Sequence, residues 1–543
     1  MPSNSHKNAT FAMVAGLRDV LSGGAEMRVR DQHVREIRNR VTVLERPLDR
    51  CIITPKRNNN TFLTIAETFW VLAGRDDLEF LNHYSKNAQS FSDDGVTWHG
   101  AYGPRLRSWN KKVDQLKEVK DLLLNETLSR RAVMSLFDPG QDFRIDGKDI
   151  PCNNWLHWLI RENALHLNIA VRSNDVMWGF SGINTFEFSV LQEMMALWTA
   201  QPVGEASFFA SSFHLYDRHY KVAPQIVSSF PGFTCYDFGI QAPKFSTRWD
   251  DFDRVLASWL KLEASIRKDP TQAISFDREI PDALLAQALS MLQIYNVHLK
   301  DNADKNLKRQ LNGLIETDFA TAAYEFIGRK QPEVFSEIPQ QKIASFFDSY
   351  HSGRSPSFNA GISLPELVCS LHRRKDAAYA DSWKKRGEQV SILANIARKV
   401  DRLGVLARTS TALAEESTLD TAIDLLVYAV KYCLFLLERC PGRAPSFLKS
   451  DAPTDYSDHT ENFDQFIAGI PFTSGDLSER DPLIQKILSN FEELNEAATS
   501  GLEACAKLTM ATALCGLAVN LVVTVAAAEP LVVHDMWDRE SRG

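Results

Sequence analysis

The stretch PCNNWLHWLIRENALHLNIAVRSND, residues 151–175, carries the strongest information about the fold of this chain. Cys152 lies just after a turn and just before a run of aromatic residues that is typical of a strand. From Leu165 to Val171 apolar side chains alternate with polar or small ones, which predicts a strand with one buried face. That strand ends in the polar sequence RSND, and polar side chains at a strand end are well placed to line a pocket.

The sequence around this stretch predicts mixed helices and strands up to about residue 250. Apolar residues at helical spacing predict a helix over 64–73 and a long buried helix from Ile183 to Leu197. Strand-like runs follow Arg131, up to the turn at residues 138–140, and extend from Phe208 to Tyr216.

Beyond about residue 250 the sequence becomes almost entirely helical in character. Helical periodicity covers residues 284–299, 307–327, 390–406 and 419–437. A segment rich in Ser, Gly and Pro, residues 352–365, divides this half. The predicted fold class is α+β, with a sheet-and-helix domain at 1–250, a helical connecting region at 251–360 and a helical domain at 361–543.

Composition and charge restrict the classes of function. The chain has 543 residues, and its 61 Lys and Arg against 69 Asp and Glu give a net charge of −8. A protein that wraps nucleic acid needs the opposite sign, so we expect no nucleic-acid partner. The eight cysteines show neither a C-x-x-C pair nor zinc spacing, and no secretory signal precedes Arg18. These features favour a reducing cytoplasm.

One uncharged segment, residues 508–528, is long enough to cross a bilayer. It contains three threonines and an asparagine, and it lacks the tryptophans and tyrosines that mark membrane interfaces. The segment is therefore predicted as a buried helix rather than a membrane anchor, and no membrane partner is expected.

The importance of Cys152 depends on the residues that accompany it. A free cysteine on its own is usually an inert core residue. Here Arg130 and Arg131 precede it and Arg172 follows it, and a thiolate needs nearby positive charge at neutral pH. The same arginines can bind a phosphate bidentately. The sequence therefore predicts a nucleophilic thiol in an anion-binding pocket.

Six blocks in the order of the family pattern resemble the thymidylate synthases and the related pyrimidine nucleotide hydroxymethylases over residues 25–240. The blocks are Ala66-Glu67 with FWVLAG at 69–74, GAYG at 100–103, SRR at 129–131, Pro151-Cys152, RSND with Gly179 and Asn184, and His214-Leu215-Tyr216 with His219. The resemblance implies transfer of a one-carbon unit from 5,10-methylenetetrahydrofolate to C5 of a pyrimidine nucleoside monophosphate. It also implies an obligate homodimer, because in this family the arginine pair reaches into the neighbouring subunit.

The same resemblance implies a role for each matching residue. Cys152 would add to C6 of the ring and make C5 nucleophilic. Glu67 would organise water for proton transfers, Tyr102 would help remove the C5 proton, and Asn184 would read the edge of the base. The implied substrate-binding residues are Arg30, Arg130, Arg131, Arg172 and Ser173 for the 5′-phosphate, His214 and Tyr216 for the sugar hydroxyl, and Asp175.

Three departures from the synthase pattern bear on the product. Asn153 follows the nucleophile where synthases usually carry His, the 179–184 loop is one residue longer, and no C-terminal tail that closes over folate is recognisable. A less sealed pocket admits water, so the pattern favours hydroxymethylation of dUMP, dCMP or CMP. Thymidylate synthesis, with reduction of the methylene group and release of dihydrofolate, is the alternative. The sequence decides neither the base nor the sugar.

A second, shorter resemblance lies in the helical half. Residues 368–440 resemble a nucleotide-modification-associated domain related to the MazG-like pyrophosphohydrolases. Asp420 and Asp424 lie one helical turn apart, so both carboxylates could hold a Mg²⁺ ion. The full acidic signature of active hydrolases is absent, which favours a helical packing or nucleotide-sensing module over catalysis.

Two further functions stay open. The first is a non-catalytic nucleotide-binding regulator, which the retained thiol, Glu67 and Tyr102 disfavour. The second is a bifunctional enzyme whose helical half supplies the monophosphate.

Overall fold

The computed structural model describes residues 5–300, 305–352, 363–379, 383–408, 418–440, 459–472, 480–528, 533 and 536–537. The chain divides into two units, Met1–Arg354 and Ser355–Gly543. The first unit contains the sheet, and the described part of the second consists of helices.

The first unit is built on an eight-stranded mixed sheet. Its strands are β1 (Ser5–His6), β2 (Ala25–Val29), β3 (Gln32–Leu44), β4 (Val133–Ser135), β5 (Asn153–Arg161), β6 (Ala164–Val171), β7 (Asn174–Asp175) and β8 (Val203–Tyr216). The spatial order is β1-β3-β8-β6-β5-β4, with β2 paired to β3 and β7 paired to β8. The strands predicted around residue 131, at 165–171 and at 208–216 are all present.

The quoted stretch 151–175 forms two antiparallel strands whose outer ends meet. Asn153 is the register partner of Val171, and the Arg172 amide donates to the carbonyl oxygen of Cys152 at 2.9 Å. Beyond it, β7 runs parallel to the end of β8, so Asp175 lies opposite His214. The sheet register therefore brings three of the predicted site segments to one edge of the fold.

Helices surround the sheet, and the predicted α+β class is confirmed. They are α1 (Ala9–Gly23), α2 (Thr61–Leu72), α3 (Leu78–Tyr84), α4 (Tyr102–Arg107), α5 (Gln115–Asn125), α6 (Pro139–Asp142), α7 (Thr185–Trp198), α8 (Ala223–Ser229), α9 (Trp249–Lys268), α10 (Phe276–Glu279), α11 (Ala283–Lys300), α12 (Lys305–Asn312), α13 (Asp318–Gly328) and α14 (Gln341–Ser352). The short 3₁₀ turns are Ala88–Phe91, Asp217–His219, Cys235–Phe238 and Pro332–Phe335.

The predicted helix over 64–73 begins earlier, at Thr61, because the Asn60 side chain caps it by accepting from the Leu63 amide at 3.2 Å. Helices α9 to α14 belong to the first unit, and Trp259 of α9 packs on Phe69 of α2 with ring centroids 4.5 Å apart.

The segment 179–184, expected to be a loop, is helical in the structure. Residues Val176–Asn184 form a π-helix that continues directly into α7. Its first turn is capped by the Asp175 carboxylate, which accepts from the amides of Met177 and Trp178 at 3.1 Å each. A π-helix takes up one additional residue without breaking the helix.

Two sequence expectations about helices also need correction. The periodic segment 307–327 is not one helix, since α12 ends at Asn312 and α13 begins at Asp318. Gly313 follows the end of α12 and closes its last turn, with its amide 3.1 Å from the Arg309 carbonyl oxygen. Leu197, predicted on a buried face, is 42% exposed near the end of α7.

The second unit consists of packed helices. They are α15 (Leu364–Tyr379), a π-helical turn (Glu388–Leu393), α16 (Ala394–Arg408), α17 (Thr418–Leu437), α18 (His459–Gly469), α19 (Arg480–Thr499) and α20 (Ala504–Ala528). A disulfide that the sequence reading did not anticipate joins Cys440 to Cys505, and Cys433 lies 3.5 Å from Cys515 between the sulfur atoms. Both pairs connect the α17 segment with α20.

The uncharged segment 508–528 lies within α20. By length and composition this helix could cross a membrane, and it is the one such helix found among the described residues. In the structure its apolar residues join the core of the second unit, where α20 contacts α17 and α19.

Candidate active site

Cys152 immediately precedes β5, and the residues around it hold a cation against its sulfur. The Arg172 Nη2 atom lies 3.9 Å from the Cys152 Sγ atom. The same guanidinium donates to the carbonyl oxygens of Pro151 at 2.9 Å and Ile150 at 2.8 Å. The arginine is therefore fixed by the main chain that precedes the thiol.

The Cys152 thiol is protonated at neutral pH in this arrangement. Burial raises its pKa, and although Arg172 acts in the opposite direction, the charges of Asp149 and Asp175 raise the pKa further. The expectation that arginines hold a ready thiolate is met only in part, because one contacting guanidinium does not outweigh desolvation. The sulfur must lose its proton as it reacts.

Tyr102 lies at the start of α4 beside the thiol and is held by Asn153. Both the amide and the side-chain Nδ2 of Asn153 donate to its hydroxyl oxygen, at 3.2 and 2.7 Å. Burial and the nearby charges of Cys152 and Glu187 raise the pKa of Tyr102 above its usual value. With two donors already bound to its oxygen, Tyr102 is a phenol whose remaining capacity is to donate its own proton.

Glu67 lies on α2 and is half-buried. Burial raises its pKa from 4.5 to about 8, and the charge of Asp149 contributes in the same direction. Asp149 is held by the Gly100 amide, which donates to its Oδ2 atom at 2.8 Å. The sequence reading missed a second carboxyl, Glu187 on α7, whose pKa is raised well above its usual value by burial and by Glu67.

Asp175, His214 and Tyr216 form one cluster. Asp175 and His214 are register partners, and the rings of His214 and Tyr216 pack edge to face with centroids 5.1 Å apart. Burial lowers the pKa of His214, so a neutral imidazole faces the pocket. Burial raises the pKa of Tyr216, and the charges of Asp175 and Cys152 act in the same direction.

A scan against family models matches residues 15–253 to the family described as thymidylate synthase. A thymidylate synthase of Bacillus atrophaeus is 33% identical over 164 residues, which are 28% of this chain and 70% of that protein. The chain belongs to the thymidylate synthase family.

Two curated phage proteins share more residues with this member of the family. A deoxyuridylate hydroxymethyltransferase of Bacillus phage SP01 is 37% identical over 210 residues, 37% of this chain and 55% of that protein. Another of Delftia phage PhiW-14 is 34% identical over 223 residues, 39% of this chain and 61% of that protein. The chain thus matches less than two thirds of the length of these hydroxymethyltransferases.

Asn184, one of the residues that match the family pattern, ends the π-helix. It is buried close to Gly179 and Asn174. A Cβ added at Gly179 would lie 3.3 Å from Asn174 Oδ1 and 3.8 Å from Asn184 Nδ2, so the absence of a side chain there lets the two amides approach. Asn174 is fully buried and both of its amide atoms lack a hydrogen-bond partner within the described ranges. An unsatisfied buried amide beside Asn184 is a feature that its position in RSND did not reveal.

The predicted phosphate ligands lie in three separate segments of the chain, before β3, before β4 and after β6. Arg172 contacts the thiol, and Ser173 is half-buried next to it. Arg30 lies in the turn between β2 and β3 with a φ of 53°. Arg131 is 73% exposed and pairs with Glu126, while Arg130 is also exposed.

A buried arginine that the sequence reading missed supports the pocket wall. Arg57 donates to the carbonyl oxygen of Met177 and, at 3.2 Å, to the hydroxyl of Ser181. Both acceptors belong to the π-helix. Burial lowers the pKa of Arg57 to about 10, while the charge of Asp175 acts against this shift.

The magnesium site predicted in the helical half gains no support. Asp424 of α17 forms an ion pair with Lys399 of α16, at 2.7 Å between Oδ2 and Nζ. Among the residues that the structure describes, no three His, Cys, Asp or Glu side chains are grouped so that they could hold a metal. Asp420 and Asp424 share α17 as expected, but a lysine ammonium already occupies the carboxylate that Mg²⁺ would need.

Replacing Glu67 with Gln should make the protein more stable at pH 8 than the wild type. Below pH 4.5 the carboxyl is protonated in both the folded and unfolded chain, so it has no effect. Between 4.5 and about 8 only the unfolded chain ionises, and wild-type stability falls by about 1.4 kcal/mol per pH unit from this group. Thermal unfolding at pH 5 and pH 8 measures the difference.

The exposed Glu79 on α3 provides the matched control. Glu79→Gln should show no growing advantage over the wild type as the pH rises. Equal melting temperatures of wild type and Glu67→Gln at both pH values would contradict the buried, protonated state of Glu67.

Cys152 should be the first thiol to react with iodoacetamide in the native protein. The other five free cysteines of the described chain, at positions 51, 235, 369, 433 and 515, are buried, whereas Cys152 is half-buried. Its rate should keep rising up to pH 9, because burial raises its pKa. Peptide mapping identifies the labelled residue, Cys152→Ser should remove the fast phase, and earlier labelling of Cys235 would contradict the placement.

Proposed function

We propose that this protein transfers a one-carbon unit from 5,10-methylenetetrahydrofolate to C5 of a pyrimidine nucleoside monophosphate, and that it hydroxymethylates deoxyuridylate. The observation that carries the proposal is the Cys152 sulfur held 3.9 Å from Arg172, beside Asp175, His214 and Tyr216. A thiol, a fixed cation and neutral sugar-binding groups at one edge suit covalent activation of a nucleotide.

The pocket has surfaces that fit a folate cofactor. Trp178 is 48% exposed in the π-helix, where its neighbours Met177 and Phe180 are buried. An exposed indole provides a flat apolar face on which a fused ring can stack. Asp175, three residues earlier, supplies a carboxylate acceptor for ring N–H groups. When bound, the cofactor supplies the one-carbon unit.

The residues of this chain bind the nucleotide and activate its ring. Cys152 adds through its sulfur to C6 and leaves an electron-rich C5, while Asn184 binds the edge of the base with its amide. Arg172 and Ser173 hold the 5′-phosphate, and neutral His214 binds the sugar hydroxyl with Tyr216. Tyr102 donates a hydrogen bond. Its oxygen can accept the C5 proton only after one of the two Asn153 N–H donors has moved away from it.

One observation favours hydroxymethylation over methylation, and two residues suit either reaction on deoxyuridylate. The two phage relatives, which match over 210 and 223 residues against 164 for the Bacillus atrophaeus synthase, are deoxyuridylate hydroxymethyltransferases by name. The Asn184 amide suits uracil, since it can donate to one atom and accept from the next. Glu67 supplies a carboxyl for proton transfer with water. Thymidylate synthesis remains the second candidate because the family match also includes synthases.

A homodimer follows from the same proposal. Arg130 and Arg131 are exposed beside β4, and Arg131 forms an ion pair with Glu126. The sheet also presents Phe209 of β8, which is exposed and lies 6.5 Å from Trp155 between ring centroids. An apolar sheet face next to exposed arginines suits a second copy whose phosphate site those arginines complete.

For the helical half we propose a nucleotide-sensing or packing module of the MazG-like type rather than a hydrolase. The Lys399–Asp424 ion pair supports this choice, because it neutralises one of the two carboxylates that metal-dependent hydrolysis requires. Cytoplasmic location is part of the proposal, as the substrates are soluble nucleotides.

The full-length protein should release tritium from C5-labelled dUMP in the presence of methylenetetrahydrofolate without forming dihydrofolate. Mass spectrometry should find a product that has gained the mass of a hydroxymethyl group, with weaker turnover of dCMP and CMP. Cys152→Ser should bind dUMP and reduce tritium release to background, because no other described thiol lies in the pocket.

Cys235→Ser, at a buried thiol outside the pocket, is the matched control and should keep the activity. Dihydrofolate formed in step with product would show methylation instead. Binding of dUMP by the wild type without tritium release would indicate the non-catalytic nucleotide-binding regulator instead.

Mixed dimers should test the shared arginines. Chains carrying Cys152→Ser and chains carrying Arg130→Ala with Arg131→Ala should each be nearly inactive alone. After subunit exchange an equal mixture should regain about a quarter of wild-type activity, since half of the dimers are mixed and each holds one intact site.

The control mixes the arginine variant with a chain that carries all three substitutions, which leaves no intact site and should show no recovery. Exchange itself is verified by native mass spectrometry. Confirmed exchange with no regained activity would contradict the shared site.

A further inference from the structure

Glu187 is a buried carboxyl for which the folded chain supplies no partner. It lies in the first turn of α7, in the sequence TFEFSVLQEMMALW, and is 3% exposed. Neither of its oxygens has a hydrogen-bond partner within the described residues. Burying a carboxyl without a partner is costly, so such a group calls for a functional explanation.

A second glutamate on the same helix, Glu193, has a structural role and serves as a comparison. Glu193 pairs with the buried Arg50, and its second oxygen accepts from the Phe245 amide at 2.8 Å. Both oxygens of that residue are satisfied, and it connects three segments of the core. Glu187 has none of these bonds.

The position of Glu187 directs it toward the pocket. It follows Asn184 by three residues, which puts the two on the same face of the helix. Helix α7 packs against α2, and the charge of Glu67 on α2 acts on Glu187. The charge of Glu187 in turn acts on Tyr102 of α4. Glu67 and Tyr102 are the titratable groups that face it, and neither supplies a positive charge.

Two facing carboxyls in a dry pocket do not both ionise, since like charges repel and water does not screen them. Glu187 therefore stays the neutral acid, and the step uses the ionised fraction of Glu67, whose pKa of about 8 leaves it mostly protonated at rest near pH 7. Asn153 adds a third unsatisfied acceptor nearby, because its Oδ1 atom has no hydrogen-bond partner in the described chain while its two N–H groups hold Tyr102. This arrangement suits a bound water molecule.

We propose that Glu187 is a further catalytic residue, which together with Glu67 holds the water that adds to the exocyclic carbon of the substrate. The proposal rests on the hydroxymethylation proposed above. One hydrogen of the water faces the Glu67 carboxylate, and the other faces the carbonyl oxygen of protonated Glu187.

The step balances with these groups alone. The water oxygen bonds to the exocyclic CH₂ carbon, its proton passes to Glu67, and the C=C electron pair moves onto the ring as an enolate. The enolate then re-forms the C5=C6 bond and expels the Cys152 sulfur as thiolate. No hydride is consumed, so no dihydrofolate accompanies the product.

Two substitutions at Glu187 test the proposal in the full-length protein with dUMP and methylenetetrahydrofolate. Glu187→Leu should lower hydroxymethyl product formation by about 100-fold. First-turnover tritium release should stay within about twofold of the wild type, because it precedes the water step. Glu187→Gln should fall between the two, since its amide carbonyl still accepts from water.

An added thiol, 2-mercaptoethanol, provides a readout that loss of packing would not produce. It competes with water for the exocyclic carbon and gives a thioether. The ratio of thioether to hydroxymethyl product should rise in Glu187→Leu, rise less in Glu187→Gln and stay at the wild-type value in Ser189→Ala. Ser189 is the control because its hydroxyl donates to the Pro47 carbonyl oxygen at 2.6 Å on the same helix.

The outcomes separate the two proposals. A wild-type ratio in Glu187→Leu, or equal loss in the Leu and Gln variants, would overturn the role of Glu187 as a neutral acceptor. Absence of tritium release from the wild type would instead refute the one-carbon transfer itself. Leucine removes an unpaired buried carboxyl, so the variant should fold, and circular dichroism verifies this.

Discussion

The pairing between the two ends of the 151–175 strands is the interaction on which the site depends. The Arg172 amide donates to the Cys152 carbonyl oxygen, and the Arg172 guanidinium binds the two carbonyl oxygens before it. These bonds fix a charged side chain beside a sulfur atom that lies twenty positions away in sequence. Because main-chain carbonyl oxygens accept all three bonds, the geometry depends little on which side chains cover the rest of the sheet.

The pocket gains its chemistry by excluding water. Desolvation raises the pKa of Cys152, Glu67, Tyr102 and Glu187 alike, so these four groups hold their protons in the resting site near pH 7. A site of this kind gives up protons only when a ligand brings charge or hydrogen bonds to it.

The sequence pattern predicted those strands and helices that depend on one buried face. Alternation over 165–171 and helical spacing over 64–73 are direct consequences of one buried face, so β6 and α2 could be anticipated from the sequence. The break between α12 and α13 could not, since the apolar period continues across Gly313 while the main chain turns there. Glu187 was missed because a single glutamate in an apolar helix carries no pattern, and its meaning arises only from its position opposite Glu67.

The π-helix at 176–184 is a segment that can gain or lose one residue without breaking the helix that follows it. Insertion or deletion of one residue before Asn184 would change the helical winding of the segment beside the thiol. The turns of α7 would keep their phase, and Glu193 would stay paired with Arg50. Descendants of such a gene can therefore reshape what the wall presents to a bound ring without rebuilding the core. Divergence of product chemistry on a constant scaffold becomes accessible in small evolutionary steps.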